Sequence, residues 1–236
     1  MQTQLQQLQR QLNYLKAYAL TSSLLLLSFT LFSLSSAQKG VIRVKGIVIE
    51  DAQGRDRILI GAPIPDSRQR VRTNPAKAKQ AWAGRLGGEK YMANYATYNH
   101  SANGIVFLNE QGFDKVVVGE TMPDPNTGKR LVKSAGMTFN DDRGFERGGV
   151  GVSTTAEGKT RAVLGVDDQD GEAVHLFALE DGTKGLRIGH AQGQLFFGKT
   201  APHSMIFESD RELAGAVAVD QTGTVLWQQN TLVGKP

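Results

Sequence analysis

Apolar residues in this chain come in short runs broken by polar turns, and one such pattern is used twice. Residues 46–66 read GIVIEDAQGRDRILIGAPIPD and residues 104–124 read GIVFLNEQGFDKVVVGETMPD. Laid together without a gap, nine of the 21 positions are identical, among them Gly46/Gly104, Gly54/Gly112, Asp56/Asp114 and Gly61/Gly119. An ungapped internal match of that length marks a structural repeat. Each copy is a β-branched apolar run, a polar turn ending in glycine, and a second apolar run, which predicts a β-hairpin. The runs are apolar on consecutive residues, so both faces of the ribbon are expected to be covered. One hairpin cannot cover two faces alone, so it needs neighbours from its own chain or another.

Weaker copies follow at 136–147 (GMTFNDDRGFER), 161–179 (RAVLGVDDQDGEAVHLFAL) and 214–227 (AGAVAVDQTGTVLW), with Gly144, Gly171 and Gly223 in the turn place. Residues 180–199 continue the strand-turn rhythm. The spacing is too irregular for a strict solenoid. The predicted fold is an all-β domain of repeated antiparallel hairpins, closed as a barrel or stacked as a sheet, spanning residues 38–236.

Ahead of it the pattern changes. In residues 1–16, Leu5, Leu8, Leu12 and Leu15 are spaced 3, 4 and 3, the rhythm of a coiled-coil seam, on a Gln-rich helix. Two heptads are short for an independent coiled coil, and a surface-lying amphipathic turn is the alternative. Residues 17–37 carry no charge, and residues 17–34 alone would span about 27 Å as a helix. This predicts one N-terminal transmembrane helix, with a cleaved signal peptide as the competing reading because Ser35 and Ala37 suit cleavage. Arg10 and Lys16 face Lys39, Arg43 and Lys45 across the segment, a near tie in flanking charge. The orientation taken is that of a signal anchor, with the β domain on the extracytoplasmic side.

Residues 67–103 interrupt the repeat. Asn74 as cap, Pro75 after it and Gly87-Gly88 as stop predict a small helix. Arg70, Arg72, Lys77, Lys79 and Arg85 surround Trp82 there, a candidate patch for an anionic ligand or for lipid headgroups. The reading preferred is a helix that plugs the β structure with Trp82 as its core anchor, and with Tyr91, Tyr95 and Tyr98 packed on the sheet.

Composition narrows the function classes. The chain has 27 Lys and Arg against 23 Asp and Glu, and with Arg10 and Lys16 ahead of the uncharged segment 17–37 the β region keeps 25 against 23, nearly balanced. That does not suggest a nucleic-acid binder. With no cysteine, disulfides, thiol catalysis and Cys-ligated metals are excluded. The paired acids, such as Asp141-Asp142 and Asp167-Asp168, fall in turns, where Asp before Gly is ordinary hairpin chemistry. His100, His175, His190 and His203 show no metal-ligand spacing, and no nucleophile elbow is present. Gly148-Gly149-Val150-Gly151 lacks the Lys-Ser/Thr of a phosphate loop and reads instead as a bulge or a close strand approach. No catalytic residue, cofactor or metal ligand can be chosen.

GIVIEDAQGRDRILIG and AGMTFNDDRGFERGGVG resemble the repeats of a loose group of uncharacterised bacterial membrane-anchored proteins, in which a hydrophobic N-terminal segment precedes units of apolar run, Asp-x-x-Gly, Arg and apolar run. The resemblance covers about residues 41–190 and implies no activity and no catalytic residues. The expected function is that of a membrane-anchored structural or protein-interaction subunit of an envelope assembly, a homo-oligomer bound to the bilayer and able to contact other envelope proteins. The alternatives are an envelope-glycan or anionic-polymer binding module and a hydrolase using turn carboxylates.

Overall fold

The computed structural model describes residues 2–35, 41–98, 100–121, 133–169, 171–204, 206 and 210–230. The chain divides into two units, Met1–Val44 and Lys45–Pro236.

The first unit holds one helix, α1 (Gln2–Ser35). Thr21, Ser22, Ser28 and Thr30 donate their hydroxyls to carbonyls three or four residues back, so polar side chains sit in the apolar stretch without open donors. Among the described residues no helix is long and apolar enough to cross a membrane. The transmembrane helix expected over residues 17–37 is not found among them, and that segment runs past the described residues. Its apolar blocks, Ala17–Leu20 and Leu24–Leu27, are separated by Thr21, Ser22 and Ser23 and followed by Ser28 and Thr30. Residues 36 and 37 lie outside the described residues.

Among its described residues the second unit is one antiparallel sheet of twelve strands. They are β1 (Gly46–Glu50), β2 (Asp56–Gly61), β3 (Asn103–Leu108), β4 (Asp114–Glu120), β5 (Lys133–Asn140), β6 (Glu146–Thr154), β7 (Thr160–Asp167), β8 (Glu172–Ala178), β9 (Lys184–His190), β10 (Gly193–Thr200), β11 (Leu213–Asp220) and β12 (Val225–Asn230). Order in the sheet follows order in the chain, so the architecture is a meander of hairpins. The predicted hairpins all form, and β9–β10 adds another. The sheet is open, which corrects the barrel alternative: among the described residues β1 and β12 each pair on one side only. Its apolar packing forms between the sheet and two segments laid on one face, so no barrel lumen is needed to make a core.

One turn chemistry repeats along the meander. Asp51 accepts the Gly54 N–H on its carbonyl and returns its own N–H to the Arg55 carbonyl, while its Oδ1 accepts from the Gln53 and Arg55 amides at 3.0 and 3.1 Å. Asn109, Asp141 and Asp220 repeat all of these bonds in their own turns. Gly54 at φ +73° occupies the left-handed position that only glycine adopts without cost. After each of these turns the second strand carries a bulge, so that Leu108 pairs with Asp114 and Lys115 is passed over. Thr155 and Leu179 start two further turns with the same backbone bonds, ending in Gly158 and Gly182.

The strands also share a transverse row of glycine. Gly46, Gly61, Gly104, Gly119, Gly136 and Gly151 are cross-strand partners from β1 to β6, and Gly185, Gly198 and Gly215 resume the row on β9 to β11. At the Gly104–Gly119 pair an added Cβ would lie 2.0 Å from the Val118 carbonyl oxygen on one strand and 2.0 Å from that of Asn103 on the other. The two backbones approach too closely for any side chain. Gly149 and Gly151 are likewise pressed on Met137 and Ala135 carbonyls, which confirms the close-approach reading of that glycine cluster.

Candidate interaction surface

The period of two along each strand sorts its side chains onto two faces. On one face Leu59, Val106 and Val117 are cross-strand partners and are at most 1% exposed. The insertion between β2 and β3 supplies their cover. Ile64 and Ala102 close over them, and beyond lies a helical stack of α2 (Pro75–Ala78), a π-helical turn (Lys79–Ala83), α3 (Gly84–Leu86) and α4 (Gly88–Ala96). Asn74 caps α2 by accepting from the Ala76 and Lys77 amides, and Pro75 follows, as the sequence predicts. Farther along the same face Phe177, Phe196, Leu213 and Val217 form a second cluster, with Ile206 against it.

The candidate anionic-ligand residues go mostly into holding this cover. Arg70 grips the Asp114 carboxylate with two bonds, 2.8 Å from Nε and 2.7 Å from Nη2, and Arg72 adds a third at 3.0 Å. All three side chains are buried. Burial alone would raise the Asp114 carboxyl, and the two guanidiniums hold it below the usual carboxylate range. Trp82 is 1% exposed and donates its Nε1–H to the Arg143 carbonyl at 2.7 Å, while the Arg72 guanidinium lies 4.9 Å over its ring. Lys79 pairs with Glu89 at the surface, Lys77 donates to the Arg68 and Gln69 carbonyls, and Arg85 donates to the Gln169 carbonyl. The structure therefore does not bring these residues together as one exposed patch. The helix with Trp82 as its anchor is the arrangement present.

Next to this network His100 stacks on Tyr95 with centroids 3.7 Å apart, and its Nε2 lies 2.9 Å from the Tyr95 carbonyl. A carbonyl only accepts, so Nε2 carries the proton. Burial pushes the imidazole down to about 4, with the bond to the Tyr95 carbonyl opposing. Tyr95 in turn donates to the Arg72 carbonyl at 2.6 Å. The turn carboxylates are engaged too. Desolvation would raise Asp51, but hydrogen bonds from Arg55, Gln53 and Arg57 outweigh it and hold it at about 2. Among the described residues no group of three or more His, Asp and Glu could hold a metal ion.

The other face of the sheet has no cover among the described residues. Two level rows of twelve cross-strand partners run along it from edge to edge. One passes from Ile47 through Val118, Val150, Leu164, Leu176 and Phe197 to Gln229, and the other from Ile49 through Phe107, Phe139, Val166 and Ile188 to Trp227. Gln229 is the single polar side chain in either row. Val166 is 50% exposed and Leu176 54%, against 0% for Val106 on the covered face. Over β4 to β8, Ala135, Val152, Ala162 and Ala178 widen the apolar band, and the sheet hollows into a groove of about 710 Å³. The rows together present on the order of 1,000 Å² of apolar surface, above the few hundred that a monomer ordinarily leaves in one patch.

Sequence reasoning missed this surface as a site because it expected both faces to be clad. The signal was present in the consecutive apolar residues of every strand: one alternate set is consumed by the insertion and the other is left over. On α1, Leu5, Leu8, Leu12 and Leu15 of the expected seam are all exposed, from 50% to 67%.

Comparison with protein-family models, with curated proteins and with solved structures finds no match for this chain.

Proposed function

We propose that the chain is a structural, protein-interaction subunit of an envelope assembly, related to the membrane-anchored hairpin-repeat proteins it resembles, and that the open face of its sheet is the working surface. The carrying observation is the asymmetry of that sheet. The covered face is closed over at two places by the chain itself, through Ile64, Ala102 and the helical stack at one and Ile206 at the other, while two edge-to-edge rows of mostly aliphatic and aromatic side chains are left in water. Leaving that much apolar surface hydrated costs free energy on the order of 25 cal/mol per Å², and a partner recovers it. The rows carry no group suited to acid–base or nucleophilic work, so association is the chemistry available to them. Attachment to the bilayer, with the sheet on the extracytoplasmic side, rests on the uncharged sequence of residues 17–37. In this proposal the N-terminal unit sets location and the sheet sets partners.

Native electrophoresis of the full chain, extracted in mild detergent, tests the working surface. The wild type is expected to migrate as a complex, and the double variant Leu164→Glu, Leu176→Glu as a single chain with the same β-sheet circular dichroism. A wild-type chain that migrates alone counts against the proposal. Resistance of the chain to carbonate extraction from membranes checks the location separately.

A further inference from the structure

We infer that the occupant of the open face is the same face of a second copy of this chain, packed sheet on sheet. This rests on the open face being the working surface, and three features of the molecule select the partner.

Size and outline come first. A stable interface removes about 800 Å² from each partner, and two rows about 7 Å apart, carried across twelve strands about 4.8 Å apart, cover a face of about that size. A small apolar ligand would fill the groove over β4 to β8 and leave Ile49, Phe107 and Trp227 in water. The object that matches the full width, with the same pleat and the same spacing between rows, is another such sheet. Two sheets packed face to face lie about 10 Å apart with strands rotated by about 30°, and level rows of Ile, Val, Leu and Phe interdigitate in that geometry.

Charge comes second. With Gln229 as the one polar position among the paired rows, the middle of the face holds nothing that would choose a foreign protein by hydrogen bond or ion pair, and the nearest charges, Glu120, Lys184 and Lys199, stand in the row at its margin. A surface without such markers is complementary to itself, which is what a two-fold contact requires. The bilayer is excluded as occupant by the sheet edges. Among the described residues β1 and β12 each leave one side of their backbone unpaired, and hydrocarbon does not satisfy those groups.

The third feature lies in the other unit. Leu5, Leu8, Leu12 and Leu15 form an exposed apolar seam on α1 whose natural complement is the same seam on another copy. Even a weak helix contact raises the local concentration of the sheets, so the two contacts reinforce each other. Near the middle of the sheet, Val150 on β6 and Leu164 on β7 lie where a two-fold axis through the face would bring like residues together.

The chain has no cysteine, so an introduced one reports its own contacts alone. Leu164→Cys and, as a second position, Val150→Cys are expressed as full-length chains and oxidised in cells before extraction. The mass of the purified, unsubstituted chain is measured alongside by native mass spectrometry. Expected are a disulfide-linked species of twice the chain mass from at least one variant, none from Thr222→Cys on the outer turn, and an integer multiple of the chain mass for the unsubstituted protein. Leu8→Gln with Leu12→Gln should weaken the multiple several-fold without abolishing the cross-link. A purified chain that stays single, or cross-links from both face positions only to a different protein, overturns the homotypic contact. In the second case the interaction role stands and only its partner changes; in the first, a wild type that also migrates alone in native electrophoresis removes both.

Discussion

Glycines in this chain do two different jobs, and substitution separates them. At Gly119 a Cβ would meet the Asn103 carbonyl oxygen at 2.0 Å, so alanine there must push two strands apart. At Gly223, φ is +86° and nothing lies within 4 Å, so alanine meets only the left-handed backbone cost. Gly119→Ala should destabilise by about 3 kcal/mol or more, and Gly223→Ala by about 1 kcal/mol, in urea titrations of the full chain. The buried Asp114 is a second test. Asp114→Ala leaves Arg70 and Arg72 as unpaired buried cations and should cost about 3–5 kcal/mol. His100 sets a pH dependence. Its folded pKa of about 4 lies below the ordinary 6.5, so between those values the unfolded chain binds the extra proton and stability falls as pH is lowered. The loss totals about 3 kcal/mol across that window. His100→Gln, whose amide can still donate to the Tyr95 carbonyl, should flatten thermal stability between pH 4 and 6.5. Below that window, Asp51, Asp114 and Asp141 continue the acid loss, because their folded pKa values lie below the unfolded value of 3.8.

Elements were the most legible level. Hairpins follow from Asp or Asn, two residues and glycine, and the side-chain bonds of Asp51, Asn109, Asp141 and Asp220 are the physical reason for that spelling. The turns at Thr155 and Leu179 were illegible because neither starts with Asp or Asn, although their backbone bonds are the same. The helical insertion could be placed from Asn74, Pro75 and Gly87, but its second helix could not, since α4 starts directly after the glycine that ends α3. The partners of its basic residues were illegible for a related reason. Sequence records that Arg70 and Arg72 are cations, and only the fold shows that a bulge turns Asp114 toward them. Trp82 fastens the insertion to the β5–β6 turn, where Gly144 makes room: a Cβ there would lie 3.1 Å from the indole. Trp82→Ala should cost about 3–5 kcal/mol and raise amide exchange across residues 75–96 before it affects β7 to β11.

At the scale of the whole molecule the sheet is a two-faced plate with its own lid on one face. Sequence patterning required cladding for both faces, and that requirement holds physically, but the described chain supplies cladding for only one. What covers the other cannot be read from local residue order, because the rows assemble only when twelve strands lie in register. Edge strands point the same way. β1 and β12 are exposed along their whole length, and β12 carries no charge to discourage a neighbour. Both features suit a subunit whose folded form is completed by association.

The most direct test of that claim is the reactivity of Leu164→Cys toward a water-soluble maleimide in the full-length protein, set against Thr222→Cys on an exposed turn. A covered face predicts labelling at least tenfold slower at position 164, restored to the turn's rate when Leu176→Glu is added. Equal rates in the two single variants would mean that the rows stand bare in water, and would contradict a sheet completed by association.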